Sequence, residues 1–163
     1  MFKTHGKKRN LWLAAACMVL MCASEAAAET AVADVARIID TSLPGKAGQA
    51  FVDGLRRRLD VEIQEYAEKI RTSSNVEALL AQKCAEAEAA YNAEMSRVSA
   101  LLMDALRSVA EKWLRGNKRG VTVIVPVNGA LAASPGADVS DELRRQFDKI
   151  SIDFTKGSVT TNG

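Results

Sequence analysis

Histidine is almost missing from the 163 residues: there is one, His5. Aromatic residues make up only 5%, prolines number three, and the three cysteines are Cys17, Cys22 and Cys84. No charge of one sign dominates, because 22 Lys+Arg face 20 Asp+Glu for a net +2. That balance is too weak to recruit nucleic acid. Gly45 and Gly48 have no preceding strand at the right spacing and no Lys-Ser/Thr end, so a phosphate-cradling loop is excluded. The longest apolar run, Leu11 to Cys22, has twelve residues, too few to span about 30 Å of hydrocarbon as a helix. Few rings beside 48% apolar residues means that the apolar atoms are small, and 27 residues are Ala. Ala favours long, close-packed helices over a thick globular core, and the length suits one domain.

What is present begins with an address. Lys3, Lys7, Lys8 and Arg9 precede the apolar run, and Ala26-Ala27-Ala28 follows it. Basic start, short apolar stretch and small-residue site are the three parts of a secretory signal peptide, with cleavage expected after Ala28. Neither Cys17 nor Cys22 follows the Leu-small-small pattern of lipid anchoring. Export would remove Lys3, Lys7, Lys8, Arg9 and Glu25, leaving 18 bases against 19 acids, net −1, and no histidine. Without histidine, Ser-His-Asp and Cys-His nucleophile pairs and the commonest metal ligand are gone, so the chain is read as no enzyme, with no cofactor and no metal. Cys84 would be alone; burial on a helix face is the expectation for it, over pairing between chains.

In the remaining chain, Ala31 to Val35 reads as a short strand, and Arg37 to Asp40 continues it or forms a helical turn. Thr41 to Gly45 is a break. From Lys46, Phe51, Leu55, Leu59, Ile63, Tyr66 and Ile70 recur every three or four residues, predicting a helix over 46–71. Thr72 to Asn75 is a polar link, and Ser74 to Glu77 has the form of a capping box. A longer stripe, from Val76 through Leu80, Cys84, Ala87, Tyr91 and Met95 to Trp113, predicts a second helix over 76–115. The short link makes the pair an antiparallel hairpin with too little core to stand alone.

Val121 to Val125 is β-branched and reads as a strand, Asn128-Gly129 as a turn, and Ala130 to Ala133 as a second, poorer strand. Ser140 caps a last short helix, and 151–163 reads as a flexible tail. The reading is therefore an α+β fold. Residues 1–28 are a signal peptide, 29–45 and 116–150 make a small β body, and 46–115 form a protruding helical arm with its tip at 72–75. Three short strands leave open edges, which argues for oligomerisation through the body.

Several ordered strings resemble the Skp/OmpH family of periplasmic chaperones. They are Ala31 through Asp40, Gly45-Lys46-Ala47, Ala110-Glu111-Lys112, Val121 to Val125, Asn128 through Ser134, and Ala137 through Leu143. Together they span 31–71 and 95–150. The resemblance implies a homotrimer whose body would share Val32, Val35, Val121, Val123, Val125 and Leu131. It also implies arms enclosing a cavity that holds unfolded outer-membrane proteins in the periplasm against aggregation. The arm here is short and near neutral, with six bases and five acids over 46–71 and five bases and six acids over 76–115.

Most of the arm stripe is hairpin core, because two helices bury their facing sides first. Residues off the seam, Val52, Val61, Leu79 and Met103, are the candidate client contacts, Met being flexible enough for promiscuous apolar binding. Arg56-Arg57-Arg58 and the Lys112, Arg115, Lys118, Arg119 group allow weak contact with anionic lipid, but a solvated helix face with acidic partners is the plainer reading. Trp113 reads as a packing anchor at the junction of arm and body. The alternative in a different class is an envelope coiled-coil scaffold that binds one folded partner.

Overall fold

A computed structural model describes residues 29–161. Residues 1–28, where a signal peptide is expected, lie outside the described residues with His5, Cys17 and Cys22, as do Asn162 and Gly163. The fold is α+β: a small body carries a long two-helix arm.

β1 (Glu29–Ala33) buries Ala31, Val32 and Ala33, small side chains that let neighbouring elements approach closely. It pairs in parallel with β2 (Val121–Pro126), with Ala31 opposite Ile124 and Val32 opposite Val125. Parallel neighbours need a crossover, and here the crossover is the whole arm. On its other edge β1 meets Asp138 in an isolated bridge, and the Val139 N–H donates to the Val32 carbonyl at 3.0 Å.

Val35 is the first residue of helix α1 (Val35–Thr41), where strand was expected. The cause is Asp34, whose carboxylate accepts from the Arg37 N–H at 3.0 Å and starts the helix at Val35. Ser42 then serves two helices. Its N–H closes α1 onto the Ile38 carbonyl at 3.1 Å, and its hydroxyl accepts from the Gly45 N–H at 3.2 Å to open α2 (Leu43–Ile70). Pro44 sits in the first turn of α2, where it has no N–H to lose. A Cβ at Gly45 would lie 1.8 Å from the Ile39 carbonyl oxygen, so only glycine permits this sharp joint. The helix thus starts three residues before Lys46.

α3 (Val76–Gly116) returns along α2 for 41 residues, about 60 Å at 1.5 Å per residue. The expected capping box at its start does not form, since Asn75 occupies the N-cap position and makes no side-chain bond there. Burial concentrates at the root of the arm, in Val52, Val98, Leu102, Ala105, Leu106, Val109 and Trp113. Further out, Leu55, Leu59, Ile63, Tyr66 and Tyr91 are only half-buried, because two helices alone cover one stripe.

Beyond β2 two expectations fail. Residues 130–133 form no strand: Pro126 ends the ladder, and Val127–Gly129 becomes a 3-10 turn closed by the Ala130 N–H on the Val127 carbonyl at 3.2 Å. Gly129 keeps a negative φ, so the Asn-Gly pair makes no hairpin turn. A second 3-10 turn (Pro135–Ala137) leads to α4 (Ser140–Phe147), whose Leu143 and Phe147 pack into the core with Ile38.

The supposed tail is likewise ordered up to residue 161. β3 (Ile150–Asp153) and β4 (Ser158–Thr161) pair antiparallel, with Ile152 opposite Val159. The Asp153 carboxylate accepts from the Thr155 and Lys156 N–H groups, and Gly157 takes φ +66° to complete the turn. Ile152 and Phe154 are buried, and that apolar alternation holds the hairpin down.

Candidate functional site

Two surfaces stand out, the free edge of β2 and the sides of the arm. β1 is covered on both edges, by β2 and by residues 138–139, so among the described residues the open ladder belongs to β2. Along and just past that strand Val123 is 48% exposed, Val127 41% and Leu131 fully exposed, with Ile124 and Val125 half-buried. A two-stranded sheet is marginal alone, and a parallel one normally has both faces covered. Of the residues placed in a shared body, Val32 and Val121 are buried within the chain, Val35 is half-buried in α1, and Val125 pairs with Val32. Val123 and Leu131 remain free at the surface.

On the arm the four candidates separate. Val52 is 5% exposed and belongs to the core, which corrects its expected place among client contacts. It lies one position beyond the Phe51 stripe but shares the arm root with Ile39 of α1 and Leu102 of α3. Val61 is exposed among Arg57, Arg58 and Glu62, Met103 is exposed, and Leu79 is half-buried near the tip. Met95, which the helical spacing assigned to the seam, is exposed beside a shallow groove of about 280 Å³ that Ile39, Val52, Tyr91 and Leu102 also line. Its place at the margin of the stripe, between Tyr91 and Val98, is the signal that could have found it.

Cys84 is exposed, not buried. It borders a groove of about 310 Å³ between the helices, with Leu59, Ile63, Ala87 and Tyr91. Among the described residues no third helix covers it there.

The electrostatics are local. Arg56 lies over the Tyr91 ring, 5.7 Å from its centroid, and Lys83 pairs with Glu62 across the two helices at 3.5 Å. Glu94 is held below the usual carboxylate range, chiefly by its hydrogen bond from Arg97. At the body, Arg119 pairs with Glu142 at 3.6 Å and Arg115 meets Glu111 at 4.0 Å, which answers part of the basic group. The Trp113 indole N–H donates to Glu142 Oε2 at 3.0 Å, and its ring is buried where the arm enters the body.

Among the described residues no three His, Cys, Asp or Glu side chains gather as metal ligands, and every buried side-chain N or O has a partner. Also among these residues, no helix is long and apolar enough to cross a membrane. What the arrangement offers is apolar contact and strand pairing.

No family model and no curated protein matches the chain. Among solved structures the chain is similar to a candidate outer membrane chaperone, OmpH-like, from Caulobacter crescentus CB15. The identity is 16%, over 74% of this chain and 84% of that one, with a TM-score of 0.47.

Proposed function

We propose that this chain is a non-enzymatic, periplasmic holdase chaperone that assembles as a homotrimer and shelters unfolded outer-membrane proteins between its arms. The observation that carries this reading is the unpaired β2 edge with Val123, Val127 and Leu131 exposed, set at the base of an arm about 60 Å long. An open apolar edge is a template for other chains, and closing it with copies of itself brings several arms side by side. The number three, the periplasm and the class of client come from the family resemblance of the residue strings, and the export signal at 1–28 fits that location.

Binding would be apolar, weak and repeated along the arms at residues such as Val61, Met95 and Met103, with Leu79 nearer the tip. Each contact is small, and enclosure raises the effective concentration of the next. No nucleotide or metal enters the cycle. Near-neutral arms make the hold on clients less sensitive to salt than a basic arm would be. Contact with anionic lipid through Lys112 and Lys118 would be secondary.

The test pairs two measurements. Light scattering should give three times the protomer mass, and the protein should suppress aggregation of a diluted unfolded β-barrel at about one trimer per client. A monomer, or no suppression at any ratio, overturns the reading. Binding to a single folded envelope protein, without suppression, would identify a scaffold instead.

A further inference from the structure

We propose that the C-terminal β-hairpin is a clamp that fixes the point from which the arm can bend. The idea goes beyond the chaperone reading and does not depend on it. α3 runs unbroken from the tip into the body, where Leu106, Val109 and Trp113 anchor it. α2 is anchored there by a smaller set, with Val52 its one large apolar side chain fully buried at the root. It joins the body through one residue, Ser42, which ends α1 and opens α2 at the same time. That leaves room for a further contact to hold α2 against α3 at the root.

The hairpin is placed to do this. It leaves the body through Asp148, whose carboxylate accepts from the first N–H of α2, at Leu43, at 2.8 Å, and from Arg144 at 2.9 Å. Beyond the strand β3, the Phe154 ring seats between the two arm helices. Its centroid is 5.7 Å from that of Phe51 on α2. The seat exists because Gly48 has no side chain: a Cβ there would come within 3.2 Å of Phe154 and Val98 and 3.1 Å of Leu102. Arg97 of α3 completes the hold. Its guanidinium donates to the Phe154 carbonyl and pairs with Glu94 at 2.5 Å, which fixes its direction.

Beyond Asp148 and the buried Ile152, the hold on the arm helices is made by the Phe154 ring and the Arg97 guanidinium, while Ser158, Val159 and Thr160 face solvent. Outward of Phe51 and Arg97, where the clamp stops, most of the seam is half-buried, with Ala87 and Ile70 the buried exceptions. Local opening is easiest where few apolar contacts resist it, so the clamp marks the boundary between rigid root and pliant arm. Releasing it should move that boundary toward the body.

Amide hydrogen exchange on the whole protein tests this. In Phe154→Ala, amides of 43–55 and 95–102 should exchange at least about tenfold faster, while those of 60–90 and of α4 keep their rates. Arg97→Ala should give the same pattern at about threefold, since it removes the latch and leaves the ring in place. Unchanged root amides in both variants would overturn the proposal. So would acceleration throughout body and arm, or loss of helical circular dichroism, because either would make the hairpin ordinary core.

Discussion

The hydroxyl of Ser140 accepts a hydrogen bond from the backbone N–H of Asp34 at 2.8 Å, joining residues 106 positions apart. The same hydroxyl donates to the Asp138 carboxylate at 2.5 Å, and Ser140 itself is 1% exposed. One buried side chain thus ties the end of β1 to the start of α4, the two places where the body would otherwise come apart. Ser140→Ala would leave the Asp34 N–H without its acceptor, and an orphaned buried donor costs about 1–3 kcal/mol. Chemical denaturation should show a loss of that size. Unchanged stability would mean that water replaces the hydroxyl without penalty.

Asp138 gives the body a dependence on pH. The hydrogen bonds from Ser140, helped by Arg37 at 3.2 Å, hold its carboxyl below the usual range. A folded pKa below the unfolded one favours the folded state above the unfolded value, about 4. That contribution is lost as pH falls through the folded value. Thermal stability of the wild type should therefore decline below about pH 4. Asp138→Asn should lower stability at neutral pH and flatten this acid limb. An acid limb of the same steepness in the variant would assign the effect to other carboxylates, such as Asp153, which Thr155 also holds low.

The α+β class and the arm were legible because a helix repeats its apolar positions over many turns. Phe51 through Ile70 and Val76 through Trp113 each sample the 3.6-residue period often enough to outweigh local noise. The structure places these helices at 43–70 and 76–116, where the spacing gave 46–71 and 76–115. What escaped depends on contacts far apart in the chain. The alternation of Ile150, Ile152 and Phe154 has only three apolar positions, and its meaning rests on Gly48 and Arg97, about a hundred and about sixty positions earlier. Val52 and Cys84 were misplaced for a related reason. Periodicity tells which side of a helix is apolar, but not how many neighbours cover it at each height of the arm. At the root α1 adds cover and Val52 is buried; toward the tip, among the described residues, only the two arm helices face each other, and Cys84 is exposed.

Two glycines of α2 should respond in opposite directions to the same substitution. Gly45→Ala drives a Cβ to 1.8 Å from the Ile39 carbonyl oxygen, a backbone atom that cannot move aside without reopening the joint at Ser42. Expected is a loss of about 3 kcal/mol or more, or failure to fold. Gly54 lies mid-helix, and its nearest neighbour would be the flexible end of Arg57 at 4.0 Å. There the better helix propensity of alanine should raise stability by about 0.5–1 kcal/mol. Thermal denaturation of both variants decides the matter, and equal effects would show that the crowding at Gly45 is relieved by movement of α1.

The free edge of β2 is where assembly and stability can be separated. Val123 is about half exposed and Leu131 fully so, which means that the single chain gains little from either. Val123→Lys and Leu131→Asp should therefore leave protomer stability within about 0.5 kcal/mol. If copies pair along this edge, however, each substitution would bury a charge against an apolar neighbour in every interface of the ring, a cost that one chain alone does not meet. The double variant should run as a folded monomer by light scattering, with its helical signal intact. It should also lose suppression of β-barrel aggregation, since solitary arms enclose nothing. A variant that keeps the wild-type mass would move the assembly surface elsewhere. One that becomes monomeric yet still suppresses aggregation would show that the arms act without a cavity.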